Sequence, residues 1–436
     1  MRLRHRLHAT LVALLLAAGL LAAPRLRAQS AGPPVTGDAV PALAGFDSII
    51  PNLMAKWGIP GGSVAVTSNG RLVYARGFGW ADQERREPVQ PTSLFRIASL
   101  TKPLTSAAML QLVQQGKLTL DDHVFCPAGD CLLRRLQPSG GVRDPRLYTI
   151  TIRNLLQHAG GWDRDRSFDP MFPPTTQRAA QAAGQRPPAS CEAVIRYMLL
   201  MPLDFDPGAR FAYSNFGYCV LGRVIERVTG MRYESYVQAY VLAPVGVSRM
   251  RIGRTQAGAR ADGEVRYYDV PGAPPVTSVF PEVSGPVPRP YGGFHLEAMD
   301  SHGAWIASAI DLVRFIAGVD GRRPPALLEP GTLGLMLARP QIAAATAGAP
   351  AYYGMGWSVR PVGRGEANWW HEGSLPGTMS IMVREGQTPW HLGWAALFNL
   401  RPQAADAFLG ELDRALWRAV NGVAAWPGGD QFARYP

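Results

Sequence analysis

Apolar and polar positions change their period several times along the chain, and each change predicts an element. From Phe46 to Trp57 the apolar residues recur at helical spacing. Two alternating runs, Ser63–Thr67 and Leu72–Phe78, flank an Asn69-Gly70 turn, which predicts a β-hairpin. A further helix is predicted after Ser99. Its core residues are expected to be Leu104, Ala108, Leu110, Leu112 and Val113.

The middle of the chain, from Asp121 to Met299, is predicted to be mostly helical with long loops. Helical patterns occupy about 191–201, 215–229 and 232–242. Two irregular stretches interrupt them, Asp163–Pro188 and Pro271–Pro290, and the second contains seven prolines in 20 residues. Loops of this length inside a folded domain commonly carry function.

The C-terminal third returns to strand patterns before a last helix at about Ala404–Val420. The strands are predicted at Gly354–Pro361, Thr378–Arg384 and Trp390–Asn399. Strands at both ends of the sequence, with helices between them, predict an α+β fold. In such a fold one antiparallel sheet is built from both termini and flanked by helices, and a mainly helical lobe is inserted.

Composition supports one large globular domain or two lobes. The chain has 436 residues, of which 47% are apolar and 18% are charged, so it can bury an ordinary core. Its net charge of +11 includes five arginines within the first 28 residues, and removing them leaves +6 without a basic run. A nucleic-acid surface needs clustered basic residues, so no nucleic-acid partner is expected.

The N-terminus has the three parts of a secretory signal peptide. A basic segment, Met1–His8, precedes an apolar segment, Ala9–Pro24, and a small-residue cleavage site ends at Ala28. The apolar segment is shorter than the roughly 20 residues that span a bilayer, which favours cleavage over a retained anchor. We therefore expect a signal peptide at residues 1–28, a linker at 29–43, and an exported periplasmic or secreted protein without stable membrane insertion.

An exported protein can form disulfides, and the chain has four cysteines. Cys126 and Cys131 enclose a short Pro- and Gly-containing loop that can bring their sulfur atoms together, so a bridge is expected there. The alternative of a metal site lacks a histidine or second cysteine pair at zinc spacing. Cys191 and Cys219 lie in helical patterns, where buried thiols and a second bridge both remain open.

Ser99 and Lys102 form the first candidate catalytic group. They are three residues apart at a helix start, where side chains at i and i+3 share a face. A serine hydroxyl needs a nearby base to become a nucleophile, and a lysine in a dry pocket can have its pKa lowered enough to serve. Taken alone, Ser99 would equally suit a helix cap, and Lys102 a solvated helix position.

Two further groups carry candidate chemistry. Tyr213 and Asn215, just before a helix, offer a phenol that a lysine could hold as phenolate and an amide that could orient it. His371, Glu372, Gly373 and Ser374 are placed at the start of an edge strand, where glycine would let a substrate approach the backbone. Separately, these residues also fit a buried tyrosine beside a helix cap and a surface histidine.

Together, in this order, the three groups resemble the serine β-lactamase and penicillin-binding-protein family. The Tyr-x-Asn group is similar to its class C β-lactamase branch, which includes D-aminopeptidases, carboxypeptidases and esterases. The resemblance covers about residues 44–420. It implies a β-lactamase-like hydrolase domain at 44–425 that needs no metal or cofactor. Its α/β lobe would comprise about 44–118 and 300–425, and its helical lobe about 119–299.

The resemblance also implies a role for each residue. Ser99 would be the acylated nucleophile, Lys102 its activating partner, and Tyr213 the general base and acid. Asn215, with His371 and Gly373 of the third motif, would bind and orient the substrate. The backbone N–H groups of Ser99 and Ser374 would form the oxyanion hole. His158 is expected to be a structural loop residue.

The third motif departs from the Lys-Thr-Gly of the family. His371 is mostly neutral at pH 7 if its pKa is near 6.5, so it would attract a substrate carboxylate less than a lysine does. This favours an uncharged ester, amide or lactone and a carboxylesterase-type hydrolase, within a general expectation of a small-molecule ester, amide or peptide substrate. The alternatives are a D-Ala-D-Ala carboxypeptidase or β-lactamase, and a catalytically idle scaffold or binding protein. Aromatic residues expected around an acyl pocket are Trp162, Phe168, Phe172, Tyr291, Phe294, Trp357 and Trp369.

Overall fold

Residues 32–342 and 348–435 are described by the computed structural model of the chain. The predicted signal peptide, residues 1–28, and the first part of the predicted linker lie outside the described residues. Among the helices of the described part, none is long and apolar enough to cross a membrane. From Pro34 onward the chain packs as one unit.

The predicted antiparallel sheet built from both termini is confirmed. Within the sheet, β14 pairs with β2, with Trp394 opposite Val66, so the two ends of the chain meet in its centre. In spatial order its strands are β1 (Val35–Thr36), β3 (Arg71–Asp82), β2 (Gly61–Ser68), β14 (Leu392–Phe398), β13 (Thr378–Arg384), β12 (Glu366–Leu375), β11 (Ser358–Gly363) and β10 (Tyr352–Tyr353), and β4 (Glu87–Pro88) pairs with β3.

Successive side chains along these strands point to opposite faces of the sheet, and each face packs against its own hydrophobic core. On β14, Trp394 faces a core shared with α1 (Ala44–Trp57) and α10 (Ala405–Asn421), whereas its neighbour Ala395 faces the larger core. The same alternation along β13 sends Ile381 to one side and Met382 to the other. Because both faces are covered, a shift of one residue in register would exchange the two cores.

Helix α2 (Thr101–Gln114) is a buried helix that packs against α6 (Asn215–Thr229), α7 (Tyr233–Val237) and α9 (Pro330–Leu337). Every residue from Thr101 to Leu112 is buried, so this helix has no solvent-facing side over that length. The helix α8 (Ala309–Val319) packs on β14 and β2. The other helices are α3 (Ile152–Leu156), α4 (Thr175–Ala182) and α5 (Cys191–Met198).

A small three-stranded sheet includes the segment that lies just before Ser99 in the chain. Its strands, in spatial order, are β5 (Phe95–Arg96), β9 (Trp305–Ala307) and β6 (Arg251–Ile252), while β7 (Val276–Thr277) pairs with β8 (Pro286–Val287). Arg96 of β5 is fully buried and donates to the carbonyls of Pro290 and Arg254 at 2.6 and 2.7 Å. The hydrogen bonds of this arginine thus hold two long loops against the segment that leads to Ser99.

Three predictions differ from the structure. Residues 354–357, predicted to start a strand, instead form a turn between β10 and β11, in which Gly356 has a φ of 88°. A side chain there would collide with Ser106, so only glycine fits. β12 was not predicted as a whole, because its residues lack a two-residue alternation. Within the predicted linker, Val35 and Thr36 pair with β3 and extend the sheet.

The four cysteines form two bridges in the described structure. Cys126 is paired with Cys131 around the short loop. Cys191 is paired with Cys219, which joins α5 to α6 and answers the question that the sequence left open.

Candidate active site

Ser99 lies in a 3-10 turn, Ala98–Leu100, that continues directly into α2. Ala98, immediately before it, has a φ of 49°, a left-handed conformation that is costly for a residue with a side chain. The turn is held from the sheet, because the Ser380 hydroxyl donates to the carbonyl of Ile97 at 2.8 Å. Packing on both sides therefore fixes the backbone that carries Ser99.

Lys102 is fully buried, and its Nζ contacts three oxygen atoms. It lies 3.0 Å from Ser99 Oγ, 2.8 Å from Asn215 Oδ1 and 3.0 Å from the carbonyl oxygen of His302. Burial lowers the pKa of Lys102 well below its ordinary value, and the positive charge of Arg164 lowers it further. Asp169 acts in the opposite direction. The structure therefore favours the uncharged amine beside the Ser99 hydroxyl.

Tyr213 lies beside this pair. Its ring centre is 4.7 Å from Lys102 Nζ and 4.6 Å from the guanidinium carbon of Arg164. Burial raises the pKa of Tyr213 despite a hydrogen bond with Ser99 and the charge of Arg164, both of which lower it. Burial therefore favours the phenol over the phenolate that the sequence suggested, so Tyr213 holds its proton in the resting site.

Asn215 and His158 complete the second motif. Asn215 is the first residue of α6, and its side chain connects Lys102 to Asp169 by hydrogen bonds. His158 is buried against the Tyr213 ring, with ring centres 4.3 Å apart, and its Nδ1 accepts from the backbone N–H of Ser214 at 3.1 Å. The imidazole of His158 thus supports the backbone between Tyr213 and Asn215.

The third motif ends a strand rather than starting one. His371 to Leu375 are the last residues of β12 and pair with β13. The pairing of β11 with β12 stops at Trp370, so the described strands leave the other side of His371–Leu375 free. The strand is therefore internal to the sheet as a whole but forms a local edge at Ser374. Ser374 and Ser99 both line the same cleft.

Gly373 allows this edge to approach the turn that carries Ser99. A Cβ atom at this position would lie 2.3 Å from the carbonyl oxygen of Ile97 and 2.1 Å from Ser380 Oγ. Any larger residue would push β12 away from the nucleophile. The absence of a side chain is thus a steric requirement of the site.

His371 is buried and held by its neighbours. Its Nδ1 donates to the carbonyl of Glu372 at 2.7 Å, so Nε2 is left to accept from the Tyr353 hydroxyl at 3.0 Å. Burial lowers the pKa of His371 to about 3. The imidazole is therefore neutral, and both ring nitrogens are occupied within the protein.

The cleft above Ser99 has a volume of about 1120 Å³. Of the seven aromatic residues expected around an acyl pocket, Phe168, Phe172 and Phe294 line it. Trp162, Trp357 and Trp369 are instead core residues, and Tyr291 lines a separate cavity. Phe211 and Tyr353 line the cleft without having been predicted. One wall is thus broadly aromatic and can accept an apolar group.

Four residues that sequence reasoning missed lie at the site: Arg164, Asp169, His302 and Tyr353. None of them belongs to the three groups of candidate catalytic residues. Arg164 and Asp169 fall in the irregular stretch 163–188, so its length was the only available signal of function. His302 follows Asp300, which accepts from Arg223 at 2.5 Å, and the His302 N–H donates to the carbonyl of Met299 at 3.0 Å.

Comparison with known proteins decides the family. The Beta-lactamase family model matches residues 46–416. The chain belongs to the Beta-lactamase family. The family resemblance and the β-lactamase-like fold that the motifs implied are therefore confirmed. Members of this family are serine hydrolases.

Curated relatives of this Beta-lactamase family chain match it only in part. A probable fimbrial assembly protein FimD of Dichelobacter nodosus is 35% identical over 187 residues, which are 42% of each chain. Protein flp of Staphylococcus aureus is 29% identical over 233 residues, which are 53% of this chain and 42% of that protein. The matches thus span less than half the length of these relatives.

Solved structures match over most of the chain. A penicillin-binding protein homologue from Pyrococcus abyssi is 25% identical, with a TM-score of 0.63, over 88% of this chain and 79% of that one. D-amino acid amidase from Ochrobactrum anthropi is 23% identical, with a TM-score of 0.65, over 88% and 99%. EstCE1, a hydrolase with promiscuous acyltransferase activity, is 22% identical, with a TM-score of 0.65, over 86% and 98%.

The buried histidines of the site predict acid sensitivity. Burial lowers the pKa of His158, His302 and His371, so below about pH 6.5 the unfolded chain binds protons that the folded chain does not. Stability is present above that pH and is lost below it; for His371, whose folded pKa is about 3, the loss between pH 7.5 and 5 is about 2 kcal/mol. Urea unfolding at several pH values measures the loss, and His371→Asn should make it shallower by one histidine. Equal stability at pH 7.5 and 5 would contradict burial in the neutral form.

Proposed function

We propose that this chain is a serine hydrolase with carboxylesterase-type activity, which cleaves an ester or amide through an acyl-enzyme on Ser99. The contact that carries this proposal is the 3.0 Å distance between Lys102 Nζ and Ser99 Oγ. The other two partners of Nζ, Asn215 Oδ1 and the His302 carbonyl, can only accept hydrogen bonds. An uncharged amine that donates to both directs its lone pair toward the serine hydroxyl.

In the proposed acylation step, Lys102 takes the proton of Ser99 while Oγ attacks the substrate carbonyl carbon. The carbonyl oxygen becomes an oxyanion, which the backbone N–H groups of Ser99 and Ser374 would stabilise. When the intermediate collapses, the bond to the leaving group breaks, and the Tyr213 hydroxyl supplies the proton that this group needs. Tyr213 then recovers a proton from Lys102, which returns to the uncharged form.

Deacylation reverses these roles with water in place of the alcohol or amine. Lys102, acting through Tyr213, takes a proton from the attacking water, and Ser99 regains its proton when the acyl bond breaks. The charge that develops is again an oxyanion on the former carbonyl. A phenol whose pKa is raised by burial suits this relay, because it keeps its proton between steps.

The neutral third motif supports an uncharged substrate. Both ring nitrogens of His371 are occupied, so it offers no cation to a carboxylate. The aromatic wall formed by Phe168, Phe172 and Phe294 suits an apolar acyl or leaving group. Among similar folds, one protein is a D-amino acid amidase and another is EstCE1, a hydrolase with promiscuous acyltransferase activity, so amide substrates and acyl transfer both have precedent on this fold.

Export belongs to the same proposal. It is supported by the signal-like pattern of residues 1–28 and by the two disulfides of the described structure, which suit an oxidising compartment. Expression of the full chain in a bacterial host should give a periplasmic or secreted protein whose N-terminal residue, read by Edman degradation, follows Ala28. Intact residues 1–28 on a cytoplasmic product would overturn this part.

The first test of catalysis is Ser99→Ala. It should abolish hydrolysis of p-nitrophenyl butyrate and labelling by a fluorophosphonate probe, because both need the Ser99 hydroxyl. Ser48→Ala, at an exposed serine of α1, is the matched control and should leave both unchanged. Intact-mass analysis locates the adduct. A wild-type protein that is not labelled by the probe and does not hydrolyse the ester would favour the catalytically idle scaffold instead.

The second test separates the acid from the base. Lys102→Met removes the base and should abolish fluorophosphonate labelling. Tyr213→Phe should leave labelling nearly intact, since fluoride departs without a proton, yet lower kcat on an alkyl ester by roughly 100-fold. An exposed tyrosine, Tyr240, gives the control variant Tyr240→Phe. Loss of labelling in Tyr213→Phe equal to that in Lys102→Met would make Tyr213 the base.

The third test concerns the substrate. Wild-type kcat/KM should be higher for p-nitrophenyl butyrate than for nitrocefin, since the third motif offers no cation. His371→Lys with Glu372→Thr should shift that ratio toward nitrocefin by roughly 10- to 100-fold, the scale of one charge-assisted contact. The ratio cancels any general loss of active enzyme, and His371→Gln controls for loss of the ring. A wild type that prefers nitrocefin would promote the β-lactamase or carboxypeptidase reading.

A further inference from the structure

The segment 163–172 lies beside the catalytic residues and carries two opposite charges toward them. Its start is fixed, because Arg210 donates to Asp163 Oδ2 at 2.6 Å and the Asp163 N–H donates to Asp204 at 2.9 Å. From this anchored start, Arg164 reaches over the Tyr213 ring and Asp169 reaches the Asn215 amide. Arg164 and Asp169 themselves lie outside the three motifs, although each contacts a residue of the second one.

The contact between Asp169 and Asn215 determines which way the amide points. Asn215 Nδ2 donates to Asp169 Oδ2 at 2.6 Å, and Asn215 Oδ1 accepts from Lys102 at 2.8 Å. A carboxylate can only accept, so it holds the NH₂ end of the amide and leaves the oxygen end for Lys102. If the amide flipped, its NH₂ group would face the Lys102 amine, and one of the two donors that direct the lone pair toward Ser99 would lose its acceptor.

We propose that Asp169 is a positioning residue that acts on Lys102 through Asn215, and that Arg164 on the same segment is its opposing charge. Together they set how readily Lys102 takes a proton. This inference rests on the proposed function, in which the uncharged Lys102 amine is the base. It adds a carboxylate and a guanidinium from outside the motifs to the residues that control that base.

The charges around Lys102 agree with this assignment. The pKa of Lys102 is lowered by Arg164 and raised by Asp169, in addition to the larger effect of burial. The other groups that face Lys102 carry no charge in the resting site. They are the hydroxyls of Ser99, Tyr213 and Tyr218, the Asn215 amide, the His302 carbonyl, and the imidazoles of His158, His302 and His371.

Two charge-removing variants test the proposal by the sign of their effects. The readout is the rate of fluorophosphonate labelling of Ser99 as a function of pH, whose acidic limb reports protonation of Lys102. Arg164→Gln should move that limb to higher pH, because the ammonium is no longer opposed. Asp169→Asn keeps an acceptor for Asn215 but loses the charge, so the limb should move to lower pH. Each shift should be roughly half a pH unit or more, and smaller in high salt.

Matched controls remove similar charges elsewhere. Arg166→Gln on the same segment and Asp262→Asn, both at exposed positions, should leave the limb unmoved. Shifts of Arg164→Gln and Asp169→Asn in the same direction, or no shift in either, would overturn the proposal while normal wild-type labelling leaves the proposed function standing. A wild type that is not labelled would instead defeat the proposed function itself.

Asp169→Ala tests positioning separately from charge. It removes the acceptor that orients Asn215, so kcat should fall by about 10-fold or more relative to Asp169→Asn, with KM little changed. Circular dichroism and thermal unfolding show whether the variant is folded. Equal kcat in folded Asp169→Ala and Asp169→Asn would show that orientation of the amide by residue 169 is unimportant, which contradicts the positioning role.

Discussion

The burial of Lys102 is the constraint on which the site depends. A lysine amine removed from water favours its uncharged form, unless anions compensate, and here its partners are a hydroxyl, an amide oxygen and a backbone carbonyl. These three atoms come from the 3-10 turn before α2, from α6 and from the segment before β9. The rest of the lobe holds them in place, as when Thr105 of α2 donates to the carbonyl of Ser301 at 2.7 Å.

The architecture places this base against an open strand edge. The helical lobe is inserted between the two halves of the sheet, so the turn that carries Ser99 packs directly on β12 and β13. Gly373 and Ser380 make that approach close enough for Ser99 and Ser374 to share one cleft. The histidines nearby are neutral because they are buried, and the third motif offers no positive charge to a substrate carboxylate. The uncharged substrate that we propose is supported by this neutral third motif.

The sequence predicts the sheet, and it selects Ser99 as the candidate nucleophile, because both leave local patterns. Period-two runs around Asn69-Gly70 and along β13 mark strands, and Ser99 with Lys102 is a spacing on one helix. The sequence does not predict side-chain positions that depend on packing between distant segments. Asp169 reaches Asn215 from a loop, and the His302 carbonyl reaches Lys102 from the segment before β9, so no spacing encodes either contact. β12 combines core and cleft positions without alternation. The phenolate suggested at Tyr213 is opposed by burial, which is a property of the assembled fold.

The most direct measurement of the central claim is the protonation of Lys102 itself. The chain has only three lysines, so a protein labelled with ¹³C at lysine Cε gives three signals at most, and Lys102→Arg assigns the one of interest. We predict that this signal titrates well below about 10.4, the ordinary lysine value. Titration of the Lys102 signal at or above that value would contradict an uncharged base and, with it, the proposed mechanism.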